Sequence, residues 1–125
     1  MKLKSGAGIV CYVKDIAKTV DFYERLGFEF KLKEPTRATA YINWWWIDFH
    51  KINATDVPPW HVSPNADNAE IGALFYFSVD NVQRAYDELT SKGLRPSNEP
   101  VDLRGNKEFM IVDPDGYRLV FFKRK

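Results

Sequence analysis

The sequence predicts an α+β fold made of two tandem βαβββ modules. Three observations carry this: two segments rhyme, each rhyming helical stretch follows a strand-like run, and a proline-rich polar stretch separates the copies. Laid in register, Val13 meets Val79, Asp15 meets Asn81, Ile16 meets Val82, Lys18 meets Arg84, Val20 meets Tyr86, Asp21 meets Asp87 and Gly27 meets Gly93. So long a row of matches points to two copies of one unit.

The first module, about residues 1–52, opens with a strand at Ile9–Val13. Its residues are β-branched and aromatic, which suits a pleated surface. Asp15 stands where a helix start needs a side-chain acceptor, and Ile16, Val20, Tyr23 and Gly27 follow helical spacing. Gly27 ends the helix because it can turn left-handed without a Cβ clash. Strands follow at Phe28–Lys33, Thr36–Ile42 and Trp45–His50, with a tight turn at Asn43-Trp44. Residues 53–70 hold three prolines and read as a linker.

The second module, about residues 71–125, repeats the order. Its strand is Leu74–Val79, its cap is Asn81, and Val82, Tyr86, Leu89 and Gly93 mark its helix. Strands are expected at Arg95–Asn98, Glu108–Val112 and Tyr117–Lys123, the last two joined by the turn Asp113-Pro114-Asp115-Gly116. One βαβββ unit alone leaves an apolar sheet face bare. Two in a chain therefore imply packing against each other or against a partner.

A chain of 125 residues suits a single domain, 1–125, and 45% hydrophobic residues suffice for a core. A net charge of +1 with no run of one sign argues against nucleic acid and against a membrane surface. The single cysteine, Cys11, excludes an internal disulfide, and the start "MKLKSGAG" has no apolar leader. A cytoplasmic location is the expectation.

The residues Val13-Lys14-Asp15-Ile16, Asp21-Phe22-Tyr23, Leu26-Gly27-Phe28, Val79-Asp80-Asn81-Val82, Gly93 and Asp113-Pro114-Asp115-Gly116 make the chain resemble the vicinal oxygen chelate superfamily. Glyoxalase I, extradiol dioxygenases, and bleomycin- and fosfomycin-resistance proteins belong to it. The resemblance covers nearly the whole chain and implies a mixed sheet curled around a cleft. In the enzymes four cleft positions hold a divalent metal, and here they fall on Gly8, Leu74, Val120 and, at or near it, Asp48. Glycine and two aliphatics have no donor for a cation. The chain therefore resembles most the metal-free binders, typically dimers with aromatic clefts.

The stretch "NWWWIDFHK", Asn43–Lys51, supplies the first candidates. Alternation puts Trp46, Asp48 and His50 on one face and Trp45, Ile47 and Phe49 on the other. The first set suits a cleft wall, the second a layer against a helix; Trp46 as ordinary core is the competing reading. Asp48 either binds a cationic or hydroxyl group, acts as a base, or is simply held by a neighbouring strand or water. His50 pairs with Asp48 or sits exposed at the rim. Tyr12 and Tyr76, read as matching places on the first strand of each module, either stack on a flat ligand or fill space. Arg118 clamps a carboxylate or phosphate, or makes a salt bridge, and Phe109 is expected beside Val120. Trp60 and His61, in the linker, form a lid or dimer contact, or pin the linker down. Arg37 and Arg104 are read as solvated turn residues and Cys11 as a buried hydrophobe.

The expected function is metal-independent binding of a small aromatic or amphipathic molecule, with sequestration as one use and a homodimer as the assembly. No cofactor and no catalytic residue are assigned. The alternatives are a metal-dependent lyase or dioxygenase-like enzyme using atypical ligands such as Asp48 and His50, and a structural or regulatory dimer.

Overall fold

Asp15 separates the first strand, β1 (Gly8–Val13), from the first helix, α1 (Ile16–Leu26). In the computed structural model, which describes residues 1–52, 73–103 and 106–123, its side chain accepts from the Lys18 N–H at 3.1 Å. That satisfies one donor a helix start leaves open. Gly27 ends the helix at φ 105, a left-handed conformation that glycine adopts without strain. Three strands follow: β2 (Glu29–Lys33), β3 (Arg37–Ile42) and β4 (Trp45–Lys51). The last two form a hairpin closed by Asn43-Trp44, with Asn43 at φ 56 and Ile42 paired to Trp45. Sheet order is β1-β4-β3-β2, with β1 parallel to β4 and the other pairs antiparallel.

One face of this sheet takes α1. The Tyr23 and Phe49 rings meet at 4.7 Å, and Phe28 packs edge-on to Tyr23 at 5.1 Å. Ile16, Val20, Ala38, Ala40 and Ile47 are among the residues buried with them. Each large side chain so buried stabilises the unit by roughly 1.5–3 kcal/mol.

The second unit repeats the topology: β5 (Leu74–Ser78), α2 (Val82–Ser91), β6 (Val101–Leu103), β7 (Asn106–Val112) and β8 (Arg118–Phe122). Asn81 caps α2 by accepting from the Arg84 N–H at 2.9 Å. Sheet order is β5-β8-β7-β6, again with the first pair parallel. Phe109, Ile111, Leu119 and Phe121 are buried, and Tyr86 of α2 meets Phe109 edge-on at 5.5 Å. Asp113 closes the β7–β8 turn, its Oδ1 accepting from the Asp115 and Tyr117 N–H groups at 2.8 and 2.9 Å. Contacts divide the chain into the units Met1–Asn68 and Ala69–Lys125.

One expected strand is not there. Arg95–Asn98 is irregular, and β6 lies at Val101–Leu103 instead. Pro96 and Pro100 have no N–H to give to a ladder. The chain compensates: the Ser97 N–H donates to the Met110 carbonyl at 2.7 Å, and Asn98 Oδ1 accepts from the Met110 N–H at 3.0 Å. A side-chain amide thus stands in for a strand's backbone. Among the described residues no helix is long and apolar enough to cross a membrane.

Candidate functional site

Alternation along β4 sends Ile47 and Phe49 to α1 and leaves Trp46, Asp48 and His50 on the opposite face. Strand pairing then builds three rows across that face: Tyr12, His50 and Arg37; Val10, Asp48 and Thr39; Gly8, Trp46 and Tyr41. Paired residues share a face, so the rows bring three aromatics around one polar cluster.

Asp48 is the centre of the cluster. Thr39 Oγ1 donates to its Oδ1 at 2.7 Å, Arg37 Nε donates to the same oxygen at 3.2 Å, and His50 Nε2 lies 2.8 Å from Oδ2. Burial by itself raises the carboxyl's pKa. The hydrogen bonds from His50 and Thr39 and the charges of His50 and Arg37 outweigh it, and the group lies below its ordinary value of 3.8. The pairing of His50 with Asp48 was one of the two readings open from sequence. Its burial was not expected: His50 is 1% exposed, with Tyr12 edge-on at 6.2 Å. Arg37, read as a solvated turn residue, opens β3 and binds the carboxylate. Thr39 was missed. Counting outward from the Asn43-Trp44 turn places it directly across from Asp48.

Gly8 lies opposite Trp46, and a Cβ there would collide with the Trp46 ring and its carbonyl oxygen. The indole thus covers the first of the four positions at which the resemblance places metal donors. Leu74 and Val120 also offer no donor, and both oxygens of Asp48 are engaged. Among the described residues no group of three or more His, Cys, Asp or Glu comes together. The residues present do not fit that divalent metal.

In the second unit the matching face carries Leu74, Tyr76, Arg118, Val120, Met110 and Glu108. Arg118 does share the face of Val120. Phe109 does not. Met110 pairs with Val120, while Phe109 pairs with Phe121, is 1% exposed and packs on Tyr86. The β7–β8 pairing differs by one residue from the expectation, and one residue reverses every side chain. Phe109 still borders a pocket of about 350 Å³ with Leu74, Tyr76, Val101, Met110 and Val120. Tyr12 and Tyr76 are not equivalent either: Tyr12 pairs with His50, and Tyr76 pairs with Val120, the counterpart of Asp48. Tyr76 donates to Glu108 Oε1 at 3.4 Å. A larger hollow, about 670 Å³, lies on the first unit beside the start of α1. Its rim mixes acids and lysines, with Lys33 paired to Glu24 at 3.2 Å, and it contains none of the candidates. Cys11 is buried, as read. Trp60, His61 and Arg104 lie outside the described residues.

Comparison with known proteins agrees with this architecture. An integron cassette protein of V. cholerae superposes with a TM-score of 0.80 at 22% identity, over 100% of this chain and 98% of that one. A bleomycin-binding protein in complex with bleomycin superposes with a TM-score of 0.73 at 20% identity, over 98% and 100%. At those identities the likeness is one of fold. In sequence, a probable chloroplastic lactoylglutathione lyase of Arabidopsis thaliana is 29% identical over 122 residues, 93% of this chain but 35% of that protein. The model of the Glyoxalase/Bleomycin resistance protein/Dioxygenase superfamily matches residues 7–121, and the chain belongs to that superfamily.

Proposed function

We propose that the protein binds a small aromatic or amphipathic molecule without a metal and holds it without transforming it. The observation that carries this is the face of the first sheet opposite α1. Tyr12, Trp46 and Tyr41 offer flat apolar surfaces around the held carboxylate of Asp48, whereas Gly8, Leu74 and Val120 carry no metal donor. The fold neighbour that binds bleomycin supports a small-molecule ligand.

Two measurements test this together. Protein incubated separately with Fe(II), Mn(II), Ni(II) and Zn(II) and then desalted should retain no metal. A compound selected by tryptophan fluorescence should bind Trp46→Ala about tenfold more weakly, the scale of one lost aromatic contact in a pocket. One metal held per chain, or unchanged binding by Trp46→Ala, overturns the reading. The first of these would favour a lyase-type or dioxygenase-like enzyme. The lactoylglutathione lyase relative and the His50–Asp48 pair at 2.8 Å are the observations on its side.

The assembly we propose is a homodimer. On the second sheet's face opposite α2, Leu74, Tyr76, Val101 and Val112 remain 46%, 51%, 42% and 42% exposed, and exposed apolar side chains gathered on one face favour an interface. Sedimentation velocity should show a two-chain species, and a single chain at every concentration would rule the dimer out.

A further inference from the structure

The small-molecule reading leaves the ligand's charge open, and Arg37 bears on it. This inference rests on that reading. Its guanidinium has five N–H donors. One, on Nε, goes to Asp48 Oδ1 at 3.2 Å. The donors on its two Nη atoms have no partner among the described residues, and the side chain is 46% exposed. Asp48 is only 13% exposed and is itself fixed by Thr39, which is buried, and by His50. Asp48 thus holds the guanidinium at Nε, which leaves the Nη donors for a ligand. A planar fork of two parallel N–H donors matches the two oxygens of a carboxylate.

The surroundings sort the rest of the face. Lys31 sits over the Tyr41 ring at 4.9 Å, and Glu29 pairs with Tyr41, so the charges at that end offset each other. Arg37 stands at the other end of β3, in the row of Tyr12. Because it reaches along the strand to Asp48, its guanidinium lies near the middle row. Trp46 and Tyr41 lie one row further on, and two residues of strand span roughly 7 Å.

We propose that the ligand is an organic carboxylate with an aromatic ring roughly 7 Å from its carboxyl group. The ring rests on Trp46 and Tyr41, and the carboxylate takes the Nη fork of Arg37. Asp48 balances the charge of Arg37 and Glu29 that of Lys31, so the Nη fork selects a carboxylate by its paired, charge-assisted hydrogen bonds and not by a net positive field.

Equilibrium dialysis with 4-(2-naphthyl)butanoate, whose longer linker gives that spacing, and its neutral amide, 4-(2-naphthyl)butanamide, tests this. The parent protein should bind the acid about tenfold or more tightly than the amide, as charge-assisted hydrogen bonds require. Arg37→Gln, checked for folding by circular dichroism, should bind both equally and bind the amide as the parent does. Arg37→Lys, which keeps the charge but loses the fork, should recover only part of the preference. Equal binding of acid and amide by the parent protein overturns the carboxylate and leaves the aromatic site standing. A preference for the acid that survives in Arg37→Gln overturns the role of Arg37. Binding of neither compound removes the aromatic site, and the present proposal with it.

Discussion

Asp48→Ala will lower unfolding stability by roughly 2–4 kcal/mol at neutral pH, measured by urea denaturation. The loss comes from what remains behind. Thr39 and His50, 7% and 1% exposed, keep their polar atoms but each loses the carboxylate oxygen it bonded. Leaving one partner of a buried pair stranded costs more than the pair contributed. The effect carries a pH signature. The folded carboxyl lies below its ordinary value of 3.8, so the unfolded chain takes up the proton first as pH falls. The stabilisation is fully present above that ordinary value and is lost as pH drops through the lower folded value. Parent and variant curves should therefore draw together in acid. A variant as stable as the parent at neutral pH would show that the cluster contributes nothing to folding.

Gly8→Ala will cost about 1–3 kcal/mol, the usual range for an overfilled position. Gly8 is not among the residues with positive φ, so what glycine supplies here is room. The new methyl group would meet both the Trp46 ring and its carbonyl oxygen. The strand cannot step aside freely, because β1 is paired to β4 along its whole length. Removing the ring relieves only part of this, so the same change made in Trp46→Ala should cost less but still something. Equal losses in both backgrounds would mean that the ring is not an obstacle. The same crowding bears on Gly8→His: a donor cannot be restored at position 8 while the indole lies over it.

The first unit was legible almost to the residue, and the reason is local. A two-residue turn at Asn43-Trp44 fixes which residues face each other, so alternation alone sorted Trp46, Asp48 and His50 from Ile47 and Phe49. The second unit has no such anchor. Its last turn closes with the Asp113 N–H donating to the Tyr117 carbonyl and the Asp113 side chain bridging two further N–H groups. Five residues thus separate Val112 from Arg118, and that count moved Met110 into the place expected for Phe109. The strand at Arg95–Asn98 was expected from the repeat of the first module, although Pro96 and Pro100 withhold the donors a ladder needs. The burial of His50 and the bond from Arg37 were out of reach for another reason. They arise where three strands meet, and no single segment records that meeting.

The substitution of Asn98 for a strand has a consequence for how the protein behaves in a crowd. β7 has its outer groups met by the Asn98 side chain, by the Ser97 N–H and by β6, which is three residues long and follows directly on Pro100. The other sheet finishes on β2, where the register shifts between Phe30 and Leu32 and Lys31 and Lys33 add charge. Short length, proline, a bulge and lysines are the features that stop one sheet edge from templating another. At these two rims the chain offers no ready seam for aggregation.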